Sequence, residues 1–402
     1  MSSSAPLAGV RVLTFTTAFA GPTAARYLAD LGAEVIKVES RRRWDNTRHS
    51  SSAGVGSSLE PSGAPTAPGF GYFNRNTLGV AVDLSLERGQ ELIRQLAGIC
   101  DVVVENFSFR VLEKWGLSYE QLKAIKSDVI LLDMQGMGRT GPLKDYLSFG
   151  PTLHSYSGLT SLWGYSHSSF VDYVAAQHAV FAVLAALFHR SQTGEGTHID
   201  LAQLEAAAAT LGVSYLDYFM NGVTERYGDG RLLQSAPAGC YPCKGEDAWC
   251  VIEVTTDDEW RRLRQAMGSP AWATEARLDT APGRSEFRAA IDAHLAEWSG
   301  QFSDVEVERL LQQAGVPAGA VRAAWEMFED PHLQARDFYW DIDHPVLGTW
   351  RYPGLSIRLS AAPSPPRQPA PMLGQHNDYV FGELLGMPAA DIRRLTDEGV
   401  LA

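Results

Sequence analysis

The sequence predicts an α/β fold, with a large doubly wound domain on a mostly parallel sheet and a smaller α+β domain. Three observations carry that expectation. Strand-like and helix-like segments alternate through roughly the first two hundred residues. From "GCYPC" onward the pattern changes to short strands and amphipathic helices. The length of 402 residues exceeds the size at which a single core usually stops growing.

Taken in order, "VRVLTF" at 10–15 reads as a short apolar strand, "AGPTAARYLADLG" as a helix with a closing glycine, and "AEVIKVES" as a second strand. The grammar recurs in "GVAVDL", in a helix "SLERGQELIRQLAGIC" opened by Ser85, in "DVVVENF", and again in "SYEQLKAIK" followed by "DVILLDMQG". Such βαβ alternation places helices on both faces of a parallel sheet. Between these units "SSSAGVGSSLEPSGAPTAPGFG" resists helix and strand alike and reads as a long surface loop. A helix from about Tyr173 to Thr193 closes at "TGEG"; strand "THIDLA" and helix "LAQLEAAAATLGVSYLDYFMNG" follow. "DDEWRRLRQAM" and "FSDVEVERLLQQAG" are amphipathic helices of the smaller domain, and the proline-rich "LSAAPSPPRQPAPMLGQHN" has to run extended.

Composition narrows the function classes. A formal charge of −13 argues against general nucleic-acid binding, which needs a basic surface. Four cysteines in a chain this long read as reduced thiols. Cys240 and Cys243 form a lone C-x-x-C near Cys250, expected as small hydrophobes on a hairpin rather than as a zinc site. The N-terminus lacks a basic stretch ahead of an apolar run, and no segment reads as a membrane span, so a cytoplasmic, unanchored protein is expected.

The first βα turn carries "TFTTAFAGP" rather than G-x-G-x-x-G, which disfavours a nicotinamide enzyme; G-x-S-x-G and G-x-x-x-x-G-K-[ST] are also missing. After the second strand comes "ESRRRWDNTR". Arg41, Arg42, Arg43 and Arg48 there, at the edge where open α/β sheets bind ligands, suit a phosphorylated ligand. Asp172 is a single acid in the apolar "SSFVDYVAAQH" and reads either as a helix cap or as a chemical group.

"PLAGVRVLTFTTAFAGPTAARYLADLGAEVIKVES", "FNRNTLGVAVDL", "DVVVENFSFRVLEKWGLSYEQL", "MQGMGRTGP", "FVDYVAAQHAVFAVLAALFHRSQTGEGTHIDLAQLEA" and "APMLGQHN", in that order over nearly the whole chain, resemble the class III CoA-transferases. That family includes formyl-CoA transferase, carnitine CoA-transferase and α-methylacyl-CoA racemase. The resemblance implies an interlocked homodimer of Rossmann-like large domains and small domains, with the active site between the two. It sets residues 1–225 as the first part of the large domain, 226–325 as the small domain, and 326–402 as a segment returning to the large one.

It also implies that Asp172, standing just before the long helix, is the nucleophile that carries CoA between an acyl-CoA donor and a carboxylic acid acceptor. No ATP, metal or permanently bound cofactor is then needed, and a coenzyme A thioester is the substrate. Carried over residue by residue, CoA would be held by Phe19, Arg41, Asn74, Arg75, Asn106, Phe107 and Lys114. This chain has Phe19 where relatives often have Gln, and "NTLG" where they have "NKRS". His154, Tyr173 and His178 are candidates for the substrate pocket, joined by Asp217 and Tyr218; each of these also suits a plain helix face or a structural hydrogen bond. Backbone N–H groups of "QGMGRTG" or "PAGCY" are candidate oxyanion donors.

Two alternatives stay open. One is a racemase working by α-proton abstraction, although the "GHD" of that branch reads "SFG" here; the other is a catalytically silent acyl-CoA binding dimer. The segment "NGVTERYGDGRLLQSAPAGCYPC" lacks the glycine run of formyl-CoA transferase, so formyl and oxalyl substrates are not expected, and "ESRRRWDNTR" and "GPTLHSYSGLTSL" resemble the carnitine and aromatic-succinate relatives, which implies a larger acyl group.

Overall fold

The computed structural model describes residues 5–49, 56–164, 169–222, 224, 235–363 and 365–401. It divides into two compact units, residues 1–224 with 336–402, and residues 225–335.

The larger unit is built on six parallel strands: β1 (Arg11–Phe15), β2 (Glu34–Glu39), β3 (Leu78–Ala81), β4 (Val102–Glu105), β5 (Ile130–Asp133) and β6 (Thr197–Asp200). Their spatial order is β3-β2-β1-β4-β5-β6. The order reverses direction between β1 and β4, which makes the carboxyl ends of those two strands the switch point where doubly wound sheets bind ligands. β1 to β5 are almost wholly buried, as expected of strands covered on both faces.

Helices cover both faces. One core packs Leu13, Ile36, Val80, Val103 and Leu131 against Leu92, Ile93 and Leu96 of α3 (Glu87–Ala97). The other sets α1 (Ala20–Asp30) and the long helix Phe170–Thr193 on the opposite face. They meet through small side chains, Ala24, Ala25 and Ala29 of α1 and Ala175, Ala176 and Ala179 of the long helix, which lets the two backbones approach closely. The long helix is apolar enough to cross a membrane by length and composition, with a mean hydropathy of 1.6 over an 18-residue window, contrary to the reading of the sequence. Its inner stripe of Val171, Ala175, Ala179, Val183 and Ala186 is buried in the core of this unit.

Several local expectations need correction. Ser85 does not cap α3: Leu86 precedes the helix, and the Ser85 hydroxyl donates to Asp83 Oδ1 at 2.6 Å. The loop after residue 50 is not bare. A two-strand ladder pairs Ser58–Leu59 with Pro65–Thr66, and the helix α2 (Pro68–Asn74) starts on a proline; residues 50–55 lie outside the described residues. The expected helix over 201–222 breaks into Gln203–Ala208, a 3₁₀ turn Ala209–Leu211, and Gly212–Asn221.

The smaller unit has an antiparallel sheet of Ala238–Pro242, Trp249–Glu253 and Ala318–Ala320. Capping boxes at Thr256 and Ser303 open the helices Asp257–Ala266 and Asp304–Gln313, whose Trp260, Leu263, Val307 and Leu311 fill the core under that sheet. Cys243 and Cys250 are buried in it as free thiols, and Cys240 is exposed.

Candidate active site

Asp172 sits in the first turn of the helix Phe170–Thr193, after Ser169, rather than just before it. A carboxylate there meets backbone N–H groups that have no partner within the helix, and the positive end of the helix dipole. Its side chain is 92% withdrawn from solvent, at 8% relative exposure. It accepts hydrogen bonds from its own backbone N–H and from that of Ala20, the first residue of α1. Two helix N-termini therefore converge on one carboxylate. Burial pushes the Asp172 carboxyl up to about 6, against the opposing pull of those two N–H groups. Its floor is Gly150, which opens the short helix Gly150–Tyr156: a Cβ at this position would run into Asp172 Oδ2. The group is thus buried, with no cation beside it among the described residues, yet ionised near neutral pH, as an oxygen nucleophile must be.

The turn from β1 into α1 is held from both sides of the switch point. Asn106, just past β4, accepts from the Thr17 N–H and donates to the Thr17 carbonyl, both at 2.9 Å. On the other side Lys37 donates to the Thr16 carbonyl at 2.7 Å and pairs with Asp45 at 2.9 Å, fully buried. Inside this clamp Ala18 takes φ +64, a left-handed conformation that costs a non-glycine residue energy and is stored where ligands bind. Gly21 follows, where a Cβ would lie 2.8 Å from Asn106 Cγ; only glycine lets the helix start approach the amide.

Around this edge Phe19 stacks on Phe73 with ring centroids 4.6 Å apart, and the Arg43 guanidinium lies 5.9 Å from the centre of the Phe107 ring. Arg41 and Lys114 are exposed, the latter on the 3₁₀ turn Leu112–Trp115. An open rim of guanidinium, ammonium and aromatic groups can take phosphates and a flat base.

Residues 7–377 match CoA-transferase family III. The chain belongs to that family. Succinyl-CoA–D-citramalate CoA-transferase of Chloroflexus aurantiacus is 33% identical, over 98% of this chain and 98% of its own. Succinate–glutarate CoA-transferase of Agrobacterium fabrum is 32% identical, over 94% of this chain and 96% of its own. A CAIB/BAIF family protein from Brucella suis, solved by crystallography, shares the fold with a TM-score of 0.84 at 29% identity, covering 95% of this chain and all of that one. This class III CoA-transferase is therefore an α/β enzyme with a six-stranded parallel sheet.

Not every residue expected to meet CoA in this CoA-transferase stands on the open edge. Arg75 is fully buried, donating to Asp30 Oδ2 at 2.9 Å and to the Pro353 carbonyl at 2.7 Å, with its guanidinium 4.9 Å from the Trp340 ring. Asp30 closes the far end of α1, so the donors of Arg75 are taken up by the fold in this structure. Asn74 is buried and donates to the Phe70 carbonyl. Of the basic run, Arg48 is withdrawn too, bound to both oxygens of Glu39 and to Glu60 and stacked 3.7 Å above Phe70, while Arg41, Arg42 and Arg43 are exposed.

His154 is buried one turn along from Gly150, its Nδ1 2.9 Å from Thr160 Oγ1. The Tyr173 hydroxyl bonds that of Tyr72 at 3.2 Å, beside Arg26. His178 is exposed and turns back to the Val174 carbonyl, and Asp217 and Tyr218 lie on an exposed helix. In "QGMGRTG", Gly136 lies against Ser148 and Gly138 against Ala202. In "PAGCY", Gly239 is paired in the small unit's sheet. The sequence reading missed Ala20 and Gly150. The first was signalled by "AGP" at a helix start on the switch point, the second by the Gly-Pro that opens the next helix.

Proposed function

We propose that this CoA-transferase works through a covalent aspartyl-CoA thioester on Asp172. The Asp172 oxygen attacks the donor thioester carbonyl; the C–S bond breaks and leaves a mixed anhydride and CoA thiolate. The thiolate attacks the Asp172 carbonyl carbon, releasing the donor as its carboxylate and forming the aspartyl-CoA thioester. The acceptor carboxylate then attacks that thioester, and the same two steps run in reverse restore Asp172 and deliver the acceptor acyl-CoA. The single observation that carries this reading is the buried carboxyl between two helix N-termini. Its surroundings keep it ionised near neutral pH, and the N–H groups beside it suit the negative oxygen of each tetrahedral state.

CoA is assigned to the open edge, with Phe19, Arg41, Asn106, Phe107 and Lys114 as its contacts and Arg43 added to them. The acids exchanged are proposed to be larger than formate or oxalate, in line with the succinyl, citramalate and glutarate substrates named for the two relatives. The chain is proposed to act in the cytoplasm as an interlocked homodimer. Supporting the dimer, the long helix presents Phe181 and Phe188, and the helix Gly212–Asn221 presents Val213, Phe219 and Met220, as exposed apolar side chains that a second copy would cover.

The test is incubation with a panel of acyl-CoA donors beginning with succinyl-CoA, followed by intact-mass measurement before and after hydroxylamine, which converts an aspartyl thioester to a hydroxamate and releases CoA. A CoA-sized adduct on the wild type that is lost in Asp172→Ala is expected; an equal adduct on both would end the proposal.

A further inference from the structure

A second buried carboxyl stands on the same sheet edge with no part in the transfer chemistry. Glu105 is the last residue of β4, and its register partner on β5 is Asp133, also the last of its strand. The two carboxyls are hydrogen-bonded to one another, so one proton lies between them. Asp133 Oδ2 is held by Arg139 Nη1 at 2.7 Å and by His198 Nε2 at 2.6 Å. Those partners keep Asp133 ionised despite its burial. Burial and the charge of Asp133 hold Glu105 well above the usual carboxylate range, so the proton stays on Glu105. Asp133 Oδ1, buried with no other donor among the described residues, is the natural acceptor for it.

What this pair is attached to gives it a role. Glu105 Oε2 accepts the Phe107 N–H at 2.7 Å, and Oε1 accepts Gln135 Nε2 at 3.2 Å. At the other end Arg139 Nη2 reaches Glu113 Oε1 at 2.8 Å, and the Arg139 N–H is fixed by Asp200 Oδ1 at 3.1 Å. The segment from Phe107 to Glu113, followed at once by Lys114, is therefore tied at both ends to one cluster on the sheet.

The geometry points to Glu105 as a positioning residue for the CoA thioester: with Asp133 and Arg139 it fixes both ends of the segment that presents Phe107 and Lys114. This rests on the assignment of CoA to that edge. A loop that binds a flexible ligand costs less to order when its backbone is already held, so the effect falls on donor binding and not on the chemistry at Asp172.

The experiment is steady-state kinetics with the acyl-CoA donor varied at saturating acceptor, alongside the thermal midpoint of each variant. Loss of a buried anchor of this kind corresponds to about 10–100-fold in binding. Glu105→Ala is expected to raise the donor KM by that factor with kcat changed by less than about threefold, since the nucleophile is untouched. Glu105→Gln can accept from Phe107 and donate to Asp133, and should keep the donor KM near the wild-type value. Glu113→Ala removes only the outer tie at a half-exposed side chain, so it folds even if Glu105→Ala does not, and should raise the donor KM several-fold. Unchanged donor KM in Glu113→Ala, or equal losses in Glu105→Gln and Glu105→Ala, would overturn the assignment. A wild type that binds CoA but forms no adduct would instead defeat the aspartyl mechanism and leave the positioning role standing.

Discussion

Asp172 and Glu105 are both buried carboxyls at the carboxyl edge of one sheet, and both hold their protons more tightly than an exposed acid. The causes differ. Asp172 is raised by burial alone, and two N–H groups bring it back to about 6. Glu105 adds to burial the charge of Asp133, whose partners Arg139 and His198 fix that charge in place. The first group is therefore ionised at neutral pH and available as a nucleophile, and the second is a neutral donor. One sheet edge supports a reacting carboxylate and a structural carboxylic acid because of what faces each of them.

The comparison breaks most sharply at the nucleophile. Asp172→Ala should lower the transfer rate by about 10⁴-fold or more, since removal of a covalent carrier leaves only binding and oxyanion stabilisation; stopped turnover assays with any accepted donor measure it. Next comes its floor. Gly150→Ala places a methyl group against Asp172 Oδ2 and should cost about 100-fold in kcat by displacing the carboxylate, with a smaller change in donor KM. Activity retained in Gly150→Ala would show that the carboxylate need not occupy this position to react.

How far the sequence foretold this arrangement depends on how local each cause is. The parallel strands were legible because segments such as "DVVVE" and "VILLD", covered on both faces, have to be apolar throughout. Asp172 was legible as a single acid in an apolar stretch, but its place inside the first turn was not: Ser169 makes no side-chain cap, so nothing local marks where the helix begins. Arg48 and Arg43 read alike in "ESRRRWDNTR". What separates them is that Glu39 and Glu60 close around Arg48, with the Leu373 N–H held by the same Glu60 from the far end of the chain. Burial of a charge is decided by such distant partners. The burial of Arg75 was hidden for the same reason, since Asp30 and Pro353 become its neighbours only in the folded chain.

Stability separates the two carboxyls further. Asp172 has its native value near 6, above the ordinary 3.8, so the native state binds its proton more tightly than the unfolded chain does. The stability it contributes is complete below about pH 4 and lost as pH rises through about 6. Asp172→Asn removes that loss and should stabilise the inactive enzyme by on the order of 3 kcal/mol at pH 8, with the gain fading as pH falls from about 6 and absent below about pH 4. Denaturant unfolding at the two pH values measures it.

Glu105 gives the finer test. Its native value lies well above 4.5, so as pH rises past that point the folded chain keeps a proton that the unfolded chain releases. Stability from this group is therefore complete below about pH 4.5 and falls with rising pH, by up to about 1.4 kcal/mol per pH unit. Glu105→Gln has no proton to lose and should remove that part of the fall, while Asp172→Asn removes only its own part between about pH 4 and 6. The two carboxyls are raised by different neighbours, so the double variant should show the sum of the two single changes; a non-additive double variant would mean that they share one cause of their raised affinity for protons, and the division between nucleophile and structural acid would fail.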